Sequence, residues 1–386
     1  MNSQAKFFNE PRLKAAMERD GIDLLILRGA DNSKYVSGFF NNGGHLAYRP
    51  FTVFYFADAA IKPAFVVPAV DLHLATDSTW IEDVRAYAMA EFFTDVDAHF
   101  YDDFFQAAKA VLDERNVKNM VIGTEGDSLP AGFKAQLDSL LEDNKTVDVS
   151  SLMDIVRMVK TPEEIRRLKK ATDITIPAHA AFRDAIRLGA TDHDLFRAAT
   201  NSMIENGCDG IKFINIGCGP KTSYAAHAPF PVGHKIAVGD FVKVDMGASY
   251  LGYGADFVRS YFAGETTERH KDIWRWLNDA QMELGMSLKP GMTGGDIFDR
   301  GYKLINRHLP NFPREFVGHG LGLGAHEQPR MNAVNRTVLE PDTVYCIEYS
   351  YYHEGCRHHT EETFHVTEDG VTCWTADCPR DLVVQL

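Results

Sequence analysis

Four acidic residues lie in segments with the apolar character of β-strands, two on each side of a glycine-rich stretch that contains two histidines. The acidic residues are Asp245, Asp256, Glu348 and Glu361. The stretch between them, residues 318–329, reads GHGLGLGAHEQP and places His319 and His326 seven positions apart. A glycine-rich run alone more often marks a tight turn or close backbone packing. The surrounding carboxylates therefore support its interpretation as part of an active site.

The spacing of the first two carboxylates predicts that both face one cavity. Asp245 ends the apolar segment 241–244, and Asp256 follows eleven residues later, after the sequence GYGA. This separation fits two neighbouring strands and their turn. A hard or borderline divalent metal prefers carboxylate oxygens with an imidazole, and two metals about 3.5–4 Å apart need carboxylates that bridge them. Four carboxylates and one histidine suffice for such a centre.

The candidate ligands also have ordinary structural explanations. A lone aspartate after a strand is usually a turn or capping residue. Glu348 is harder to explain in that way, because it lies in the apolar segment YCIEY, where an unpaired carboxylate would be costly to bury. Glu361 and Glu362 would point to opposite faces of a strand, so only one of them can enter the site.

Length and charge restrict the class of protein. At 386 residues, the chain exceeds the size at which one hydrophobic core keeps growing, so we expect two domains. Its 45% hydrophobic and 24% charged residues are those of an ordinary globular protein. A net charge of -14, without a cluster of Lys and Arg, repels phosphate backbones and argues against a nucleic acid partner.

The cysteines and the N-terminal residues bear on the cellular compartment. The six cysteines form no CxxC pair, unlike the disulfide framework of small secreted proteins. The first residues, MNSQAKFF, contain no apolar signal region, and nowhere do eighteen apolar residues run together. These features predict a reduced, cytoplasmic protein without a membrane partner.

The order of elements predicts a two-domain α+β chain. The first part alternates helical and strand patterns, which indicates an α/β layer. The polar residues 142–146 and the segment after them are typical of a domain boundary, and we place the domains at 1–155 and 156–386.

The second domain opens with strong helix signals. Thr161 suits the N-cap, Pro162 suits the first helical position, and Glu164 completes a capping box. We expect this helix to run to about residue 187 and the next to span residues 192–205. The other elements predicted in this domain are strands near 213–217, 241–246, 256–262, 343–349 and 362–367 and helices near 268–288 and 295–309.

Together these motifs resemble the pita-bread metallopeptidases, a family that includes aminopeptidase P, prolidase, methionine aminopeptidase and the non-peptidase relative creatinase. The resemblance covers nearly the whole chain. Residues 12–39 resemble the creatinase-type N-terminal domain, and residues 158–165, MVKTPEEI, resemble the start of the catalytic domain. The resemblance implies a creatinase-type α/β N-terminal domain followed by a pita-bread C-terminal catalytic domain.

The resemblance also implies a set of metal ligands. Asp245 would chelate one metal, Asp256 and Glu361 would bridge two, and His319 with Glu348 would hold the second. Mn²⁺ is the expected cofactor, with Co²⁺, Zn²⁺ or Fe²⁺ as alternatives. Because Glu361 would be the glutamate that enters the site, we expect replacement of its neighbour Glu362 to have a mild effect.

Three residues would take part in the reaction itself. Glu348 would accept the proton of a metal-bridging water that attacks a scissile amide carbonyl. His227, in the segment AAHAP, and His326 match family histidines that hold the substrate and stabilise the tetrahedral intermediate. Taken alone, either histidine would be an ordinary hydrogen-bonded residue.

The chain departs from the family pattern around these glutamates. The family commonly has Glu-Pro-Gly where this chain has Tyr349 and Ser350 after Glu348, and an arginine where this chain has His359. His353, His358 and His359 either line a substrate pocket or are solvated loop residues, and we favour the second interpretation.

Two arginines are candidate clamps for a substrate carboxylate. Arg49, before the apolar segment 51–55, resembles the creatinase arginine that crosses a dimer interface into the neighbouring site. An exposed arginine before an edge strand explains it equally well. Arg336 is the second candidate, and bidentate pairing would suit either side chain.

The leading hypothesis is a dinuclear metal-dependent hydrolase that cuts a C–N amide bond, with an Xaa-Pro dipeptide or short peptide as substrate and a homodimer as the assembly. The alternative keeps the metals and changes the substrate to a small carboxylate-bearing amide or cyclic amino acid, as in creatinase and ectoine hydrolase. A lyase is a more distant third. A binding protein that has lost catalysis is disfavoured, because a scaffold has no need to keep buried charges together.

Overall fold

The computed structural model describes residues 6–41, 50–88, 100–224 and 231–386. The helices are α1 (Glu10–Asp20), α2 (Ala30–Ser37), α3 (Leu72–Ser78), α4 (Phe104–Glu114), α5 (Ala131–Leu140), α6 (Ser150–Met158), α7 (Pro162–Asp184), α8 (Asp192–Glu205), α9 (Glu268–Ser287) and α10 (Gly294–Asn306). The strands are β1 (Leu24–Leu27), β2 (Thr52–Phe56), β3 (Ala64–Pro68), β4 (Asp83–Tyr87), β5 (Phe100–Tyr101), β6 (Val121–Thr124), β7 (Lys145–Asp148), β8 (Gly210–Cys218), β9 (Phe241–Tyr250), β10 (Tyr253–Gly254), β11 (Phe257–Ala263), β12 (Gly318–Gly320), β13 (Thr343–His353), β14 (Cys356–Thr367), β15 (Gly370–Cys373) and β16 (Val383–Val384). Within the described ranges, no helix combines the length and apolar character needed to cross a membrane.

The chain divides into two compact units, Met1–Arg157 and Met158–Leu386. The polar residues 142–146 lie inside the first unit, where β7 forms an edge strand beside β6. These residues are polar because they lead into an edge strand whose side chains are mostly exposed to solvent. The domain boundary between residues 155 and 156 stays a prediction.

The first unit is built on a seven-stranded mixed sheet in the order β5-β4-β3-β2-β1-β6-β7. Its strand β1 is buried on both faces, with Leu25 and Leu27 in one hydrophobic cluster and Leu24 and Ile26 in another. Residues of α1, α2 and α6 pack in the first cluster, and residues of α4 and α5 pack in the second. Helices on both faces of the sheet confirm the α/β layer.

The helices that open the second unit follow the predicted signals. Thr161 and Glu164 form the expected capping box at the start of α7, with Pro162 in the first turn. The helix ends at Asp184, about three residues earlier than expected. Helix α8 has its predicted bounds, and Gly207 adopts the left-handed conformation beyond its end, with φ 87°.

Two antiparallel sheets form the centre of the second unit. One contains β8, β9, β10 and β11, with β16 added in parallel at its edge, and its apolar face packs against α7 and α8. The other has the order β12-β13-β14-β15 and packs against α9 and α10. This arrangement of helices and antiparallel sheets is the predicted α+β catalytic domain.

Strands β13 and β14 are longer than the sequence predicts and form one continuous hairpin closed by the pair His353 and Cys356. The full length of these strands could not be predicted from the sequence, because His358 and His359 occupy buried positions that an ordinary sheet fills with apolar side chains. Both histidines are at most 2% exposed. The interpretation of these two residues as solvated loop residues is therefore wrong.

The two sheets meet where the candidate ligands lie. The backbone carbonyl of Asp256, just before β11, accepts hydrogen bonds from Thr363 Oγ1 at 2.8 Å and Cys346 Sγ at 3.3 Å. Behind this contact, Arg259 of β11 pairs with Glu362 of β14 at 3.0 Å. These bonds fix the first sheet against the second and thereby set the spacing of the carboxylates.

Candidate metal centre and active site

Strand pairing brings the predicted ligands to one place. Glu348 of β13 lies directly opposite Glu361 of β14, so both side chains project from the same face of the sheet. His319 of β12 lies opposite Cys346, two residues before Glu348 on the neighbouring strand. Asp245 lies in β9, with β11 beside it. Four of the five candidate ligands are buried, and Asp245 is partly exposed as a residue, although its Oδ1 atom is buried.

The imidazole of His319 has its two nitrogens in different environments. Its Nδ1 lies 3.1 Å from the backbone carbonyl of Gly320, which can only accept a hydrogen bond, so Nδ1 carries the proton. Its Nε2 lone pair then faces three carboxylates, at 3.4 Å from Glu361 Oε1, 3.6 Å from Glu348 Oε1 and 3.9 Å from Asp256 Oδ2. This is the tautomer that binds a metal through Nε2.

The polar atoms of this cluster fit a bound cation. His319 Nε2 and Glu361 Oε1 are buried and have no hydrogen-bond partner among the described residues. Ligand atoms of Asp256, His319, Cys346 and Glu361 lie within 4.8 Å of one another. Burial keeps the pKa of Cys346 well above its usual value, and its thiol donates to the backbone carbonyl of Asp256, so the carboxylates and imidazole are the better ligands. Buried polar atoms without partners are costly, and a cation would remove that cost.

Burial and mutual repulsion shift the titration of three carboxyl groups. Burial and the charge of Glu348 raise the pKa of Asp245 to about 7. Burial, followed by the charge of Glu361, raises the pKa of Asp256 well above its usual value, and burial with Glu348 does the same for Glu361. The raised pKa values favour the protonated carboxyl groups, and a divalent cation would have to displace these protons.

Glu348 differs from the other carboxylates, because the side chains of Arg314 and His359 bind its Oε2 atom. Arg314 Nη1 donates to Glu348 Oε2 at 2.6 Å, and His359 Nε2 donates to the same oxygen at 2.8 Å. Burial acts to raise the pKa of Glu348, but Arg314 and His359 together hold it well below its usual value. Its other oxygen, Oε1, remains directed toward His319.

Arg314 is a residue that the sequence did not reveal. It lies in an irregular segment before β12 and stacks on Phe316 with the guanidinium carbon 4.2 Å from the ring centroid. Its Nη1 lies 3.4 Å from His359 Nε2. Arg314 thus supplies positive charge beside Glu348 in a chain whose His359 replaces the family arginine.

A cavity of about 500 Å³ opens beside the cluster. His319, His326, Phe298, Phe316 and Arg330 contribute to its wall. The rings of His319 and His326 stack with their centroids 3.9 Å apart. Burial of part of its ring, followed by the nearby His319, lowers the pKa of His326 to about 4, so this imidazole is neutral at pH 7. Phe298 and Phe316 thus give the cavity apolar surface, and His319, His326 and Arg330 give it polar groups.

The remaining predicted site residues are His227, Arg49 and Arg336. His227 and Arg49 lie outside the described residues. Arg336 is exposed near Asp296, and it is not among the described residues that line the cavity. Arg330, six positions earlier, lies on the cavity wall instead.

Close backbone packing explains the glycines around His319. A Cβ on Gly320 would lie 2.0 Å from the carbonyl oxygen of Gln328, and one on Gly322 would lie 2.1 Å from the carboxylate of Glu327. Glu327 forms a buried ion pair with Lys160 at 3.0 Å and accepts from the backbone N–H of Gly324. The loop that carries His326 is thereby fixed to the start of the second unit.

Comparisons with known proteins agree with this arrangement. Residues 166–368 match Metallopeptidase family M24, and residues 11–159 match the Creatinase/Prolidase N-terminal domain. An Xaa-Pro dipeptidase of Pyrococcus horikoshii is 25% identical over 360 residues, which cover 92% of this chain and 93% of that protein.

Solved structures show the same fold over nearly the whole chain. An Xaa-Pro dipeptidase from Bacillus anthracis has a TM-score of 0.81 and 23% identity, covering 97% of this chain and 98% of that chain. A prolidase from Thermococcus sibiricus has a TM-score of 0.83 and 20% identity, covering 99% of this chain and all 100% of that chain. Because the M24 match covers more than half of the chain, the protein is a member of Metallopeptidase family M24 with a creatinase/prolidase N-terminal domain.

Proposed function

We propose that this protein is a dinuclear metal-dependent hydrolase of C–N amide bonds that acts as an Xaa-Pro dipeptidase or aminopeptidase P-like peptidase. The observation that carries the proposal is the position of the His319 Nε2 lone pair among three buried carboxylates, beside an apolar cavity. The relative from Pyrococcus horikoshii, named Xaa-Pro dipeptidase, supports the choice of substrate.

Five side chains would hold the metals, namely Asp245, Asp256, His319, Glu348 and Glu361. When bound, a pair of divalent cations supplies a water of lowered pKa and polarises a carbonyl oxygen. We expect Mn²⁺ as the physiological ion. Carboxylate oxygens with a single imidazole suit that ion, and Co²⁺, Zn²⁺ and Fe²⁺ are alternatives.

Two residues of the chain would move or hold protons during hydrolysis. Glu348 stays ionised, because Arg314 and His359 hold Oε2, and its Oε1 is positioned to accept a proton. His326 is neutral and stacked on His319, so it can donate a hydrogen bond to the carbonyl oxygen as negative charge develops there. His227 would assist in holding the substrate.

The cavity suits a short peptide with an apolar ring. Phe298 and Phe316 offer the apolar surface that a proline ring prefers, and Arg330 can pair with a substrate carboxylate. Arg336 and Arg49 remain alternative clamps. Replacement of an arginine that binds the substrate carboxylate should raise KM, because such a residue acts on substrate binding.

The second candidate is hydrolysis of a small carboxylate-bearing amide or cyclic amino acid. The observation that favours it is the pairing of Arg314 and His359 with Glu348, which departs from the family pattern beside the candidate metal ligands. If Arg49 reaches the neighbouring site across a homodimer, as in creatinase, it would close the site on a compact substrate. Strong dependence of KM on Arg49 would then favour this candidate.

Metal content tests the ligand set. Asp256→Ala and Glu361→Ala should each abolish activity and lower the bound metal, measured by elemental analysis of the purified protein, because loss of a bridging ligand leaves both ions poorly held. Glu315→Ala, on the cavity wall and outside the ligand cluster, is the matched control and should retain metal. Full metal content in both ligand variants would exclude this centre.

A substrate panel then separates the two candidates. The Mn²⁺-loaded protein should be assayed against Xaa-Pro dipeptides, longer Xaa-Pro peptides and small cyclic amides. We expect the highest kcat/KM for an Xaa-Pro dipeptide and a rise in KM for Arg330→Met with kcat retained. Hydrolysis of the cyclic amides alone would support the second candidate.

A further inference from the structure

A second group of metal-binding side chains lies where helix α9 meets the tip of the β13–β14 hairpin. It consists of His270 on α9, His353 at the end of β13 and Glu354 in the turn that follows. One ligand atom from each lies within 4.8 Å of the other two. None of these residues contributes to the carboxylate cluster around His319, so the group is a separate feature of the molecule.

The distances between the candidate ligand atoms are close to the distances between ligand atoms around a bound zinc ion. Glu354 Oε2 lies 3.6 Å from His270 Nε2, and Glu354 Oε1 lies 3.8 Å from His353 Nε2. Ligands about 2.0–2.2 Å from a tetrahedral zinc lie roughly 3.3–3.5 Å from one another. These two distances end on different oxygens of Glu354, so its exposed side chain would have to move to bring one oxygen close to both imidazoles, which it can do without disturbing the core.

The surroundings of the group orient its imidazoles. His270 Nδ1 lies 2.8 Å from Nε2 of the buried His358, so His270 can donate through Nδ1 and present the Nε2 lone pair to Glu354. Such a second hydrogen bond is typical of metal-bound histidine.

The backbone fixes the other two ligands. Glu354 and Gly355 form a two-residue turn with φ values of 46° and 75°, as in a type I′ hairpin. Cys356 lies just beyond this turn, but its thiol donates to the backbone carbonyl of Glu354 at 3.8 Å and does not belong to the group. The group therefore offers two imidazoles and one carboxylate, and the Glu354 side chain is exposed to solvent.

We infer that His270, His353 and Glu354 form a peripheral site for one borderline divalent cation of the Zn²⁺ class, separate from the dinuclear centre. Two imidazole nitrogens and one carboxylate oxygen with a water complete a four-coordinate zinc shell. A bound cation would link α9 to the hairpin tip, and it would stabilise the folded protein in proportion to its affinity.

Zinc stoichiometry of the full chain tests this site. The wild type, His353→Gln and Glu354→Gln should be equilibrated with Zn²⁺ and analysed for zinc per chain. We expect each variant to bind one zinc ion fewer than the wild type, to lose the corresponding Zn²⁺-induced rise in Tm, and to keep Mn²⁺-dependent hydrolysis within twofold of the wild type. His193→Gln and Glu368→Gln are matched controls, because both residues are exposed and lie elsewhere.

The position of the ion can be seen directly in a crystal soaked in Zn²⁺. An anomalous peak between His270, His353 and Glu354 would support the site, whereas unchanged zinc counts in both variants together with no such peak would overturn it. The comparison does not depend on the proposed hydrolase. If that proposal fails, the wild type and variants should still differ by one zinc.

Discussion

At the residue scale, the surroundings of one oxygen distinguish Glu348 from the carboxylates around it. Arg314 and His359 both contact Oε2, whereas Oε1 faces His319. The sequence could predict Glu348, because a carboxylate in an apolar strand needs a special explanation. It could not predict Arg314, which lies in an irregular segment and reaches Glu348 only through the tertiary fold.

Removing the positive charge at Arg314 should weaken catalysis and change its pH dependence. Because Arg314 lowers the pKa of Glu348, Arg314→Met should raise that pKa, and activity should be lost at a higher pH as the solution is acidified. We expect kcat/KM to fall roughly 10–100-fold. The measurement is a pH-rate profile with saturating Mn²⁺.

Arg314→Lys is the matched variant for this prediction. It keeps the charge but loses the planar guanidinium, so the acid limb of its profile should lie between those of the wild type and Arg314→Met. An acid limb that stays in place in Arg314→Met would show that Arg314 does not act through Glu348.

His326→Ala should separate catalysis from metal binding. His326 contacts the ring of His319 but lies outside the ligand cluster, so kcat should fall roughly 10²–10⁴-fold while metal content stays unchanged. Steady-state kinetics and elemental analysis check both quantities. His308→Ala, at an exposed histidine stacked on Trp276, should leave both unchanged. Loss of metal in His326→Ala would instead make His326 a ligand.

At the scale of elements, the two sheets of the second unit are joined by a buried ion pair. Arg259 of β11 and Glu362 of β14 are 5% and 1% exposed in their side chains. Arg380 Nε also donates to Glu362, at 2.6 Å. Strand alternation correctly indicated that Glu361 and Glu362 face opposite ways. It could not show that Glu362 has a buried cationic partner from another sheet.

The expectation that replacement of Glu362 is mild therefore needs correction for stability. Glu362→Ala should keep its metal but lower the free energy of unfolding by about 3–5 kcal/mol, because it leaves Arg259 buried without its carboxylate. Denaturant unfolding measures this change. Glu368→Ala, at an exposed turn position, should stay within about 0.5 kcal/mol of the wild type. A similar value for Glu362→Ala would show that Arg259 is satisfied by its backbone partners alone.

Helix α7 carries two adjacent glutamates with opposite effects on the pH dependence of stability. Burial raises the pKa of Glu164 to about 7, and hydrogen bonds from Arg166 lower that of Glu163 to about 2. The folded protein thus binds a proton at Glu164 between about pH 4.5 and 7 that the unfolded chain releases. Its stabilising contribution is present below that range and lost as pH rises through about 7.

Replacing each glutamate should therefore change a different part of the stability curve. Glu164→Gln should reduce the fall in unfolding free energy between about pH 4.5 and 7. Glu163→Gln should act in acid, because its contribution is present above about pH 4.5 and lost as pH falls toward 2. Unfolding midpoints across pH measure both, and identical curves for the two variants would contradict this assignment.

At the scale of the whole molecule, local signals predicted the elements better than their partners. Caps placed α7 and α8 within a few residues, since a capping box acts within one turn of a helix. Strands β13 and β14 were predicted too short, because their buried histidines, arginine and glutamates are stabilised by residues distant in sequence. The residues of the cavity wall were harder to predict than the strands, and Arg330 rather than Arg336 lies there.

The hairpin turn has a consequence for the distant carboxylates. The pair His353 and Cys356 beside the turn sets the count along both strands, and that count places Glu361 opposite Glu348. If the strands slipped by one residue, Glu362 would take that place and Glu361 would face the other side. The length of the turn thus decides which of two neighbouring glutamates faces the candidate metal centre.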